Sequence, residues 1–188
     1  APTPTVPADG IILRPTADTY ISQWYTSENY DQEPLLIVRQ GDIISSLIKF
    51  DLSDLPPGTE LRQAWLNLYV YHRSNKGGMY ARVYRVRRPW ESGEATWENA
   101  TKGVAWAQPG CNGQGGDRDP AAADTVLLKA ENAWFSFDLT EMVRGWIEDP
   151  QSNHGLVIKG DGGVSVEYQF ASSEFGKRLF RPQLVISS

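Results

Sequence analysis

Trp134-Phe-Ser-Phe-Asp-Leu-Thr-Glu-Met-Val-Arg-Gly-Trp146 changes character partway along, and that change decides the fold class. Trp134 to Phe137 reads as a strand. Beyond it, Leu139, Met142, Val143, Trp146 and Ile147 recur at i, i+3, i+4, i+7 and i+8, which is one face of a short helix over 138–147. Asp138 is placed to cap the first turn with Glu141 reaching back, and Asp149-Pro150 ends it. No other stretch carries a convincing helical period, and strands follow at Leu156 to Lys159, Val164 to Ala171 and Leu184 to Ser187.

Upstream the same strand-and-turn rhythm holds, with strands at Ile11 to Arg14, Asp18 to Ser22, Leu35 to Arg39 and Ile43 to Leu52, the last broken by Asp54-Leu-Pro-Pro-Gly58. In Ala64-Trp-Leu-Asn-Leu-Tyr-Val-Tyr71 the aliphatic Ala64, Leu66, Leu68 and Val70 share one face, which is the core side. Trp65, Asn67, Tyr69 and Tyr71 share the other. Asn75-Lys-Gly-Gly78 tolerates positive φ, so Tyr80 to Val86 is expected to return as the hairpin partner of this strand. The reading is an all-β jelly-roll sandwich of roughly nine to eleven strands. It carries one short helix, at 138–147, and a long Gly-rich loop over 89–120, in a single domain (11–188) behind an extended arm (1–10).

Seven Trp, eight Tyr and six Phe beside 17 Gly and 12 Pro fit short aromatic strands divided by turns. The net charge of −5, with no basic run longer than Arg87-Arg88, lacks the electrostatic footprint for nucleic acid. No apolar run is long enough to span a bilayer, and the Pro- and Thr-rich start reads as processed or as a linker. Cys111 has no partner in the chain and no basic neighbour in sequence to activate it, so it reads as an unpaired, partly buried thiol in preference to a bond to another chain or a reactive site.

Between Pro89 and Pro120 the periodicity disappears, and Trp90, Trp97 and Trp106 are the residues able to pin such a loop by packing. Asp117, Asp119 and Asp161 offer hard oxygen ligands close to flexible Gly, a possible calcium set against ordinary turns. Glu91, Glu94 and Glu98 are read as a solvated acidic loop in preference to the paired carboxylates of glycoside chemistry. His72 and His154 lie in no metal or nucleophile-elbow spacing, so the chain is read as non-catalytic with no certain cofactor. Its best binding surface is the aromatic face of Trp65, Tyr69 and Tyr71, extended across the expected hairpin by Tyr80, Arg82 and Tyr84. Flat rings make CH/π contact with sugar faces, and they also dominate protein interfaces.

Ala17-Asp-Thr-Tyr-Ile21, Leu47-Ile-Lys-Phe-Asp-Leu-Ser-Asp-Leu-Pro-Pro-Gly58, Ala64 to Tyr69, Val83 to Val86, Pro89-Trp-Glu91, Ala95-Thr-Trp97 and Phe137-Asp-Leu-Thr140 form an ordered set. With Trp146, Asn153-His-Gly-Leu156, Phe170 to Glu174 and Arg181-Pro182, this set resembles the DNRLRE family of extracellular domains over about residues 11–188. The resemblance implies a jelly-roll sandwich on secreted or surface-anchored proteins, some relatives of which bind acidic polysaccharides. It carries no catalytic residues over.

Two functions follow. In the first, the chain is a structural or adhesive surface or filament subunit, joined to copies of itself or to other surface proteins. Its arm, with Thr3, Thr5 and Val6, would add a strand to a neighbour's sheet. In the alternative, it is a carbohydrate-binding module that meets a polysaccharide through the aromatic face. Either places it outside the cell or on its surface.

Overall fold

A computed structural model describes residues 3–56 and 58–188. Its strands are β1 (Ile11–Leu13), β2 (Ala17–Ser22), β3 (Leu35–Arg39), β4 (Ile44–Lys49), β5 (Gln63–Arg73), β6 (Met79–Arg85), β7 (Asn99–Thr101), β8 (Val104–Ala105), β9 (Asp124–Leu128), β10 (Ala133–Asp138), β11 (Leu156–Asp161), β12 (Glu167–Ala171) and β13 (Gln183–Ser187). One α-helix, α1 (Thr140–Glu148), follows β10. β7 and β8 pair only with each other, inside the long loop, and the other strands form one antiparallel sheet of 11 that curls over itself.

β5 organises the first layer. β10 runs along one of its edges, from Val70 against Ala133 to Trp65 against Asp138. The other edge is shared: β13 takes the stretch from Gln63 to Asn67, and β12 takes the stretch from Val70 to Arg73, where a slip in register leaves Tyr71 unpaired. β1 extends this layer beyond β13, and β3 links β12 to β4. The second layer is β2, β4, β11, β6 and β9. Between the layers, the fully buried Ala64, Leu66, Leu68 and Val70 of β5 share one cluster with Ala81 and Val83 of β6 and with Leu156 and Ile158 of β11. At about 25 cal/mol per Å² of apolar area removed from water, this cluster is the main source of stability.

The hairpin between Ala64–Tyr71 and Tyr80–Val86 does not form. β6 pairs with β11 and β9, and Ser74–Gly78 carries the chain across to the opposite layer. The reason is that both strands present an aliphatic face. Placed in opposite layers, those faces bury each other, while β5 already has its backbone groups satisfied by three other strands.

The helix begins two residues later than its sequence pattern suggests. Asp138 stays in β10, where its Oδ1 accepts bonds from the Thr140 N–H (3.0 Å) and hydroxyl (2.6 Å). Glu141 does not reach back but pairs with Arg144 one turn on. Met142, Val143 and Trp146 are buried in the interior cluster, so the helix does cover an apolar part of the core.

The long loop lies on the outer side of the second layer and builds a second cluster there. Trp90, Trp97, Trp106, Ala95, Ala100 and Cys111 pack on Ile21, Leu47, Val86 and Val157. Trp90 donates its indole N–H to the His154 carbonyl at 2.6 Å, and Lys49 both bonds the Trp90 carbonyl (2.9 Å) and sits over its ring (4.5 Å). Lys159 reaches from β11 to Asp42 (2.9 Å), Ser45 (3.1 Å) and the Gly110 carbonyl (2.7 Å), and burial pulls its pKa down. Three acceptors satisfy an ammonium out of water. Burial also pushes the Cys111 thiol up to about 12, which makes it inert.

Two substitutions test this packing. Trp90→Ala is expected to cost roughly 3–5 kcal/mol, as loss of a fully enclosed aromatic does, whereas Tyr25→Ala, at 61% exposure, is expected to cost under about 0.5 kcal/mol in the same urea titration. Gly155 has φ +71°, and a Cβ there would stand 2.2 Å from the Ile48 carbonyl oxygen, so Gly155→Ala is expected to lose ~2–3 kcal/mol. A thermal midpoint equal to the parent's would show that this close approach is relaxed in solution.

Candidate functional site

The outward face of β5 carries Trp65, Asn67 and Tyr69. Register sets Asp138, Ser136 and Trp134 of β10 on one side of them, and Val185 and Gln183 of β13 on the other. Ser136 donates to the Asn67 side-chain oxygen at 2.6 Å and orients that amide. Tyr69 stacks on Phe180 at 4.2 Å and 27°, and meets the edge of Trp134 at 5.4 Å. Phe175 stands edge-on to Tyr71 at 5.5 Å, and Tyr71 is 48% exposed. Rings in such offset and edge contacts hold one another in place, so the terrace is rigid before any ligand arrives. Beside it, Trp65, Asn67, Ser136 and Val185 form the floor of a groove of about 390 Å³ whose wall is Pro4, Thr5 and Pro7.

Phe175 and Phe180 belong to the loop between β12 and β13, which is tied down at several points. The Asp18 carboxylate accepts from the Ser173 N–H and hydroxyl, both at 2.8 Å, and burial raises its pKa. Arg181 Nε donates to the Phe175 carbonyl at 2.7 Å, and Arg14 donates to the Arg181 carbonyl at 3.0 Å. Arg14, Arg178 and Arg181 with Ser173 line a depression of about 350 Å³ on this loop. Among the described residues, none of these three arginines forms an ion pair with a carboxylate. The pKa of Arg14 is pulled down, first by desolvation and then by the neighbouring Arg181 charge. The depression thus gathers three guanidinium groups, with the buried Asp18 carboxylate behind Ser173 near Arg181, in a chain of net charge −5.

The six residues expected to form one platform are divided between two layers. Trp65, Tyr69 and Tyr71 lie on the first layer; Tyr80, Arg82 and Tyr84 lie on β6 in the second. Tyr84 is half-buried against the long-loop cluster beneath the Arg118 guanidinium, 4.1 Å from its ring. Arg82 bonds Asp161 and Thr125, both at 3.2 Å, and Tyr80 stays exposed. The hairpin that would have joined the two groups is absent, so they form no continuous surface.

The three aspartates considered for calcium serve other partners. Asp117 is fully buried and accepts the N–H groups of Ala107, Gln108 and Gly113 at 2.8–3.0 Å together with Arg88 at 3.2 Å. Asp119 pairs with Arg85 and Arg87, and Asp161 with Arg82. No group of three or more His, Cys, Asp or Glu able to hold an ion occurs among the described residues. Glu94 accepts the Lys102 N–H and Glu98 the Thr26 hydroxyl, so these two carboxylates serve as loop fasteners. Thr3 and Thr5 are exposed and Val6 is half-buried, in an irregular segment that forms no strand.

Sequence reasoning missed Trp134, Phe175 and Phe180, and the three arginines. Trp134 was legible as a strand residue; its neighbour across the sheet was not. The signal for the loop was Phe175 to Arg181 itself, two Phe interleaved with Lys177, Arg178 and Arg181.

The terrace is a cluster of mutually tilted rings of which Tyr71 is the exposed member, with amide and hydroxyl groups at its foot. Residues 11–188 match carbohydrate-binding module family 96. The chain belongs to that family. No curated protein matches it. Of the two functions that the sequence leaves open, membership supports the polysaccharide-binding module, and neither the match nor the structure supports the filament subunit. The finer likeness to DNRLRE domains stays a resemblance.

Asp18→Ala is expected to free the Phe175–Phe180 loop, lowering stability by about 1–3 kcal/mol for two lost bonds to a buried carboxylate. It should also weaken the near-ultraviolet circular dichroism of the Tyr69–Phe180 stack, and an unchanged spectrum would show that the loop is held by packing alone.

Proposed function

We propose that the chain is an extracellular, non-catalytic module that binds an acidic polysaccharide on the outer face of its first layer. Trp65 and Tyr71 offer ring faces and Asn67 and Ser136 offer hydrogen bonds. The observation that carries this reading is that the loop completing the aromatic terrace with Phe175 and Phe180 also bears Arg178 and Arg181, which with Arg14 line one depression and form no ion pair with a carboxylate among the described residues. A neutral glycan needs the rings; only a charged one makes use of the guanidinium groups, which bind carboxylate or sulfate in a two-pronged fashion. Membership of a carbohydrate-binding family supports the class of ligand.

Trp24 (57% exposed) and Tyr25 (61%) form a second aromatic patch. Arg39 lies over Trp24 at 4.8 Å but is already paired with Glu167, so this patch has no free charge of its own.

Binding of polygalacturonate and of a neutral β-glucan by calorimetry distinguishes the surfaces. Trp65→Ala and Tyr71→Ala are each expected to weaken polygalacturonate binding about tenfold or more, near 1.4 kcal/mol, while Trp24→Ala leaves it unchanged. Arg178→Ala with Arg181→Ala should weaken it further and flatten its dependence on salt, because exposed charge pairs are screened within about 8 Å at physiological ionic strength. Full affinity in Trp65→Ala and Tyr71→Ala, with loss in Trp24→Ala, would move the site to the second patch.

A further inference from the structure

The segment before β1 does not continue the sheet. Asp9 and its neighbours turn the chain back, with the Gly10 N–H donating to the Pro7 carbonyl at 2.8 Å. Gly10 is required for that reversal, since a Cβ there would stand 2.8 Å from Val6 Cγ1 and 2.9 Å from the Pro7 oxygen. After the reversal, Pro4, Thr5 and Pro7 line one groove with Ser187 and Val185 of β13, Trp65 and Asn67 of β5 and Ser136 of β10. The segment therefore walls the groove at the Trp65 end of the aromatic face and narrows access to it.

Its hold on that face is weak in a specific way. Pro4 and Pro7 have no N–H to donate. Among the described residues, the turn bond within 7–10 is the one hydrogen bond this segment makes, and none runs from it to the sheet beneath. Thr5 and Pro7 remain exposed while Pro4 and Val6 are half-buried, so the contact consists of a few apolar faces. A proline-rich chain loses little entropy when it lies down, which lets so small a contact keep it in place, and for the same reason it leaves at little cost. The family match begins at residue 11, so the strap lies outside the part this chain shares with the family.

We propose that residues 3–10 are a displaceable strap that narrows the Trp65 end of the polysaccharide site until the ligand moves it aside; this rests on the binding function proposed above. The strapped protein offers the exposed Tyr71 and Ser136 and only part of Trp65, and displacement opens the half-buried Trp65 and the buried Asn67 to the ligand. Longer chains, which reach both ends, compete with the strap, and short ones do not. Affinity of the resting protein for long chains is lowered by the fraction of molecules that are strapped.

The test compares the full chain with a variant lacking residues 1–10 and with a full-length Pro4→Gly, Pro7→Gly variant, using polygalacturonate and its short oligomers as probes. Both variants should bind the polymer several-fold more tightly and the short oligomers unchanged, and the gain should vanish when Trp65→Ala is added. Acrylamide quenching of tryptophan emission should rise in the variants without ligand and not rise in a Trp65→Phe background. Polymer binding that is equal or weaker without the strap overturns the proposal and leaves the binding function standing. If neither the parent nor the variants bind polymer or oligomer at any ionic strength, the binding function falls, and the strap's role falls with it.

Discussion

The aromatic face proposed to bind ligand is positioned by the burial of the inward side of β5 and its pairing along both edges. An 11-residue strand with three antiparallel partners has its backbone groups satisfied along both edges, which makes it the most constrained segment of the fold. Its inward side chains are aliphatic and fully enclosed. Its outward side chains are therefore held in place by a strand that cannot shift register without turning Ala64, Leu66, Leu68 and Val70 into solvent. The outer face thus combines a rigid base with rings that make only side-chain contacts above it.

The two layers use their outer surfaces differently. On the second layer the long loop is fastened by buried polar groups: Lys159 and Asp117 each reach several partners from positions almost out of water, an arrangement that is stable only because each charge is matched by hydrogen bonds. Tyr84 is used up in that packing. On the first layer the covering elements are lighter, a proline-rich segment at one end and a short loop with two Phe at the other. That difference leaves Tyr71 and part of Trp65 accessible on the first layer, the face proposed to bind polysaccharide.

The helix, the strand positions and the core face of Ala64–Tyr71 were legible because they rest on local periodicity, and Trp90, Trp97 and Trp106 were legible as loop anchors because a loop without regular structure needs buried mass. The hairpin between β5 and β6 was not. A turn sequence such as Asn75-Lys-Gly-Gly78 allows a tight return, yet whether the chain returns beside itself or crosses to another layer depends on what else competes for the strand's edges. β10, β12 and β13 are all distant in sequence, and their claim on β5 is invisible to local reasoning. For the same reason half of the proposed binding face was legible: Trp65, Tyr69 and Tyr71 lie on one strand, whereas Trp134, Phe175 and Phe180 reach them only through pairing and loop closure.

By itself, then, the sequence determined an all-β sandwich with one helix, which residues face its core, and which strand offers aromatic rings, because alternation and helical spacing are properties of neighbouring residues. The tertiary structure decided that Tyr84 is spent in a second core, that the aspartates of the long loop answer arginines and backbone amides, and that three arginines meet beside the aromatic terrace. Those outcomes depend on contacts between segments far apart in the chain, where burial and competition for backbone edges, and not local pattern, select the partner.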